Sequence, residues 1–237
     1  SGRTVMTTEP KFIPKEAANI SLTDDVNVRI KLVDCVGFMV EGATGHMENG
    51  EERKVKTPWF DYEIPFTKAA SIGTQKVIRD HATIGIVMTT DGSIGELDRE
   101  NYLQAEERTI KELQNLGKPF VVIVNSTKPH GTEAKNVVNY LNEKYGVSAI
   151  SVNCEQLREY DIHKIMEKVL FEFPVSEIQF YVPKWIEMLS GTNRIKQEII
   201  QYIKKLLNEL MEIKDVVNGF NEPENEIIEK VRVDDVS

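Results

Sequence analysis

The chain has 237 residues, a net charge of −9, 41% hydrophobic side chains and 28% charged ones, within the ordinary range of a folded globular protein. The acidic balance and the lack of any Lys/Arg block exclude a nucleic-acid groove, and no run of about eighteen apolar residues offers a transmembrane segment. Cys35 and Cys154 form no metal-spacing pair, which fits a reduced, cytosolic protein. The length suits one large domain, or one domain and part of another. There is no initiator methionine and the first residues are Ser1-Gly2-Arg3, so the chain is read as a piece of a longer protein.

Residues 20–32 read as a hairpin, with ISLT and VNVRIKL on either side of Asp24-Asp25. In the second arm Val26, Val28, Ile30 and Leu32 alternate with Asn27, Arg29 and Lys31, the period of a strand. Residues 41–65 are Gly-rich and charged and read as one long irregular loop. Helical spacing follows over 69–81. TIGIVM at 83–88 and FVVIV at 120–124 are continuous apolar runs of strand length, as buried parallel strands require. Between them, 96–116 predicts a helix with Leu103, Ala105, Thr109, Ile110, Leu113 and Leu116 on its inner face. A helix over 132–145, a strand over 147–152 and a helix over 161–173 complete the alternation. The fold class is therefore α/β: a mostly parallel sheet with helices on both faces.

Pro174 marks a predicted boundary, dividing a nucleotide-binding unit, 1–174, from the start of a second domain, 175–237. The second domain is expected to hold a strand over 175–182 and one long amphipathic helix running from Ile195 to Val217. An apolar stripe of that kind serves an ordinary domain core, or alternatively a polymer interface. The tail beyond Asn221 is acidic and Glu-rich.

In a parallel α/β sheet ligands bind beyond the carboxyl ends of the strands, and four segments fall there. Asp34-Cys35-Val36-Gly37 follows the VNVRIKLV strand. An aspartate here can hold Mg²⁺, directly or through water, and a glycine three residues on leaves its N–H free to approach a γ-phosphate. Thr7 and Thr8, in TVMTTEP, are adjacent hydroxyls that could ligate the metal and report the γ-phosphate; equally, they are a β-branched pair in a strand or cap. TTDGSIG at 89–95 centres on Asp91-Gly92, read as a turn, with a catalytic role for Asp91 as the alternative. NSTKP at 125–129 is the base-side loop, with Asn125 and Ser126 as candidate nucleotide-binding residues. Guanine-specific enzymes of this architecture present N-K-x-D here, whose carboxylate accepts from the guanine edge. This chain has Lys128 at that position, which donates and cannot accept. Adenine is therefore the expected base. No G-x-x-x-x-G-K-(S/T) occurs in the 237 residues, so the phosphate cradle must come from elsewhere.

SGRTVMTTEPKFIP, LVDCVGF, TPWF, IPF, IGIVMTTDGSIG, AEERTIKEL and KPFVVIVNSTKP, in that order, resemble the stage IV sporulation protein A family. These are spore-coat morphogenetic ATPases of endospore-forming bacteria, a GTPase-derived class of P-loop NTPase. The resemblance is closest over roughly the first 185 residues. It implies that Asp34 is the Walker B aspartate, that Thr7 and Thr8 are sensor threonines, with Asp34 and Thr8 at the metal, and that the Walker A lysine and serine precede this chain. It further implies ATP and Mg²⁺ as cofactors and ATP hydrolysis that drives self-assembly into the coat's basement layer. Other coat proteins and a short amphipathic membrane peptide are the implied partners, at the forespore surface on the cytoplasmic, mother-cell side. The competing expectations are a GTPase of the translation-factor or septin-like kind and a non-enzymatic scaffold piece. In this class the strand feeding the phosphate loop lies between the 28–34 and 84–88 strands, so no ladder of hydrogen bonds should join those two directly. The 237 residues alone are expected to be inactive.

Overall fold

The computed structural model describes residues 11–21, 27–217, 227, 228, 231 and 233. Thr7 and Thr8 lie outside the described residues. The chain divides into two compact units, Ser1–Val169 and Leu170–Ser237.

In the first unit β1 (Lys11–Ser21) and β2 (Asn27–Asp34) pair antiparallel as the predicted hairpin, with a register shift between Ile13 and Ala18. The region expected to be an irregular loop instead forms two small ribbons. β3 (Met47–Glu48) pairs with β4 (Glu51–Glu52), and β5 (Lys54–Thr57) with β6 (Phe60–Pro65). The alternation of Phe60, Tyr62 and Ile64 carries β6 and buries Ile64, a period-two signal masked by the surrounding charge. Glu52 ties the ribbons to α1 (Phe66–Lys76): its Oε1 accepts from the Thr67 N–H at 2.9 Å, satisfying one of the helix's free amino-terminal donors. A π-helical turn, Val77–His81, extends α1.

The core of this unit is a parallel sheet of β7 (Gly85–Thr90), β8 (Phe120–Asn125) and β9 (Ser148–Val152), in that spatial order. Strand β8 is central, and its Val121, Val122 and Val124 are fully buried. Two helices pack on the sheet. α2 (Leu103–Asn115) follows the 3₁₀ turn Arg99–Tyr102, and α3 (Thr132–Tyr145) lies against β9. Ile110, Leu113 and Leu141 meet Val87, Val122, Val124 and Ala149 in one apolar cluster. The predicted start of the α2 helix at 96 is early by several residues because 96–102 is taken by a loop and the 3₁₀ turn. Leu103, expected on the inner face, is exposed. α4 (Glu159–Phe171) closes the βα alternation.

On the opposite face of the sheet Val121, Ile123 and Val152 are buried, but Ile86 and Met88 of β7 are 36% and 53% exposed. Among the described residues β7 pairs only with β8 and β2 only with β1, and no ladder joins β2 to β7.

The second unit differs from expectation at two points. Residues 175–182 form no strand; only an isolated antiparallel bridge joins Pro174 to Glu212. The single long helix is two: α6 (Arg194–Glu209) and α7 (Ile213–Val217), with a short α5 (Lys184–Glu187) before them. The break has a backbone cause. Val175 N donates to Met211 O at 3.1 Å and Ile213 N to Phe173 O at 3.0 Å. Asp215 Oδ2 then accepts from the N–H groups of Met211 and Glu212. These bonds engage the groups that a continuous helix would have used, while the apolar stripe runs on regardless.

Candidate functional site

Asp34 is the last residue of β2 and its side chain is exposed. The chain then turns through Gly37, whose φ of +79° lies in the left-handed region. A Cβ built there would meet nothing within 4 Å. Glycine is thus favoured by the backbone conformation, and the space where a Cβ would stand is open. Burial pushes the Cys35 thiol up, and the neighbouring Asp34 charge adds to this, against hydrogen bonds with Gly37 and Thr74. A raised pKa leaves less of the reactive thiolate at neutral pH. Phe38, next in the chain, is buried, with the Arg108 guanidinium 4.2 Å from its ring centroid.

The loop after β8 starts at Asn125, whose Oδ1 accepts from Cys154 N at 3.0 Å and so laces the β8 loop to the β9 loop. Ser126 is fully buried; its N–H donates to Val152 O at 2.9 Å. Ser126 Oγ donates to Asp91 Oδ2 at 2.5 Å and accepts from Lys128 N at 3.0 Å. Asn125 and Ser126 are thus braces of the loop. Lys128 itself is exposed.

Asp91 stands at the carboxyl end of β7. Its Oδ1 accepts from Ser93 Oγ at 2.6 Å and Ser93 N at 3.0 Å. Burial works to raise its pKa, but the hydrogen bonds from Ser126 and Ser93 outweigh it and hold the carboxyl below its ordinary range. The turn passes through Gly92, at φ +89°, where a Cβ would lie 3.1 Å from the Arg99 backbone nitrogen. Arg99 in turn pairs with Glu106 through both nitrogens, each at 2.8 Å, and donates to Thr89 Oγ1 at 3.0 Å. Glu106 is buried, and this ion pair, with one hydrogen bond from Nη2 to Oε1, clamps α2 to β7.

The sequence reading placed Asp34, Gly37, Asn125 and Ser126 at the carboxyl ends of strands, where all four stand. Asp91, expected as a turn residue with a catalytic role as the alternative, stands in that turn, and Ser93, Arg99 and Glu106 are functional candidates that the local pattern does not mark. Glu106 was discoverable: it lies one helical turn before Ile110, on the inner face, where an acid requires a partner.

A Mg²⁺ ion carried on nucleotide phosphates needs only one or two protein carboxylates, and the exposed Asp34 beside an open glycine turn fits that need. Among the described residues no group of three or more His, Cys, Asp or Glu side chains could hold a metal independently.

Comparison with known proteins agrees with the geometry. The model of the stage IV sporulation protein A ATPase domain matches residues 1–174, and that of the same family's middle domain matches 175–237. The chain is 45% identical over 239 residues to stage IV sporulation protein A of Clostridioides difficile (strain 630), covering 100% of this chain and 48% of that one. It is 41% identical to the protein of that name from Bacillus anthracis and 40% identical to that of Bacillus subtilis (strain 168), each over 216 residues, 91% of this chain and 44% of the relative. The chain thus spans about half the length of these relatives. No solved structure matches it. With its parallel sheet, its aspartate-to-glycine turn after β2 and a family model matching most of its length, the chain belongs to the stage IV sporulation protein A family.

Proposed function

We propose that residues 1–174 are the nucleotide-binding ATPase domain of a spore-coat morphogenetic protein, with 175–237 the start of a middle domain. In the whole protein this domain hydrolyses ATP with Mg²⁺ to drive self-assembly of the coat's basement layer. Its partners are further copies of itself, coat proteins and a short amphipathic membrane peptide, at the forespore surface on the mother-cell cytoplasmic side. The observation that carries the reading is the match of 1–174 to an ATPase-domain family together with Asp34 and Gly37 at the end of β2.

Mg²⁺ would supply charge neutralisation at the β- and γ-phosphates. Asp34 would hold it, with Thr8 as a further oxygen ligand, and Gly37 would offer its N–H to the γ-phosphate. Thr7 and Thr8 would report whether that phosphate is present. Asn125 and Ser126 hold the base-side loop, and Lys128 disfavours guanine. Because an ammonium cannot accept the donors of the guanine edge, phosphate release by the full-length protein should be at least about tenfold faster with ATP than with GTP at subsaturating concentrations. Equal rates with the two nucleotides, or faster GTP turnover, would overturn the adenine assignment.

A further inference from the structure

Asp91 accepts one serine hydroxyl on each carboxylate oxygen: Ser93 Oγ on Oδ1 and Ser126 Oγ on Oδ2. Each serine oxygen then accepts one backbone N–H of the base-side loop. Ser93 Oγ takes that of Thr127 at 3.0 Å, and Ser126 Oγ that of Lys128 at 3.0 Å. The polarity of this arrangement follows from the charge. An ionised carboxylate only accepts, so both hydroxyls must donate to it and their lone pairs are left for the two amides. Ser126 is fully buried and has no water to turn to. Asp91 is itself fixed from below. Gly92 N donates to Thr90 Oγ1 at 3.1 Å, and the turn packs on Arg99, which Glu106 and Thr89 hold. At its far end the loop closes with Gly131 N donating to Lys128 O at 2.8 Å.

We propose that Asp91 is a positioning residue that, through Ser93 and Ser126, fixes the backbone at Thr127 and Lys128 and thereby sets which purine the site accepts. The inference rests on the ATPase reading and adds a specificity device to it. Lys128 discriminates by repulsion, since its ammonium opposes the N–H and amino donors of guanine while it can donate to the ring nitrogens of adenine. Repulsion discriminates only if the charge cannot swing aside. The two amide anchors, at Lys128 and at the residue before it, restrict that movement. Releasing them lets the loop adapt to guanine and weakens its fit to adenine.

The test is steady-state phosphate release by the full-length protein with ATP and with GTP. Asp91→Ala should raise KM for ATP about tenfold with kcat changed less than about twofold, and should narrow the ATP-to-GTP ratio of kcat/KM about tenfold. Lys128→Ala should narrow the ratio as well, and adding Asp91→Ala to it should narrow it no further, since both act on one discrimination. Ser93→Ala removes one anchor at an exposed position, so it keeps the proposal open to test even if Asp91→Ala does not fold. It should give an intermediate change, and Ser93→Thr should restore the wild-type ratio. A folded Asp91→Ala or Ser93→Ala enzyme with an unchanged nucleotide ratio overturns the proposal, as does a loss confined to kcat. Wild-type protein that turns over no ATP overturns the ATPase reading and this inference with it. Wild-type turnover with indifferent variants overturns this inference alone.

Discussion

At the residue scale, local sequence and actual role diverge most at Asp91. Asp-Gly is the commonest signature of a turn, and a turn is present. What the local pattern cannot reveal is that Ser126, thirty-five positions on, donates to one of the two carboxylate oxygens. The consequence is measurable. The carboxyl is held below its ordinary 3.8, so its contribution to stability is complete above that value and is lost as pH falls through the lower, folded value. The thermal midpoint of Asp91→Asn should therefore lie below wild type at neutral pH. The difference should shrink steadily below about pH 4, as the wild-type carboxyl takes up its proton. A difference of constant size down to about pH 2 would show that the two serines do not depend on the charge. Asp34, by contrast, was legible because its signal is local: a period-two strand, an acid at its end and a glycine three residues later.

At the scale of elements, the strands and helices with their own strong period were readable from composition alone. The fully apolar FVVIV became the central strand, and 132–145 became α3 with the predicted bounds. The misreadings share a cause in partners distant along the chain. The ribbons of 47–65 exist because short polar strands found each other, and α6 stops because 173–175 captures the backbone of 211–213. The clamp of α2 onto β7 belongs here as well. Arg99 and Glu106 have side chains 15% and 2% exposed, so removing one partner strands a charge in a nearly dry site. Glu106→Leu or Arg99→Met should each cost about 3–5 kcal/mol in urea unfolding, whereas the double variant should recover much of that loss. Additive losses in the double variant would mean that the two side chains act separately.

At the scale of the whole molecule, the described part of the parallel sheet runs β7-β8-β9, with β7 at one edge. Among the described residues β7 pairs on one edge only, Ile86 and Met88 lie exposed on one face, and β2 pairs with β1 in a hairpin. The 237 residues contain an aspartate-to-glycine turn and a braced base-side loop but no phosphate-loop motif. The chain spans about half the length of its relatives, so the proposed chemistry is measured in the full-length protein. The most direct measurement is the steady-state rate of ATP hydrolysis by full-length protein with Asp34 intact and with Asp34→Ala, at saturating Mg²⁺. If Asp34 orients the metal at the γ-phosphate, the variant should lose at least about tenfold in kcat while remaining folded. A folded Asp34→Ala protein that hydrolyses ATP at close to the wild-type rate would contradict the placement of the metal at β2, and with it the site proposed here.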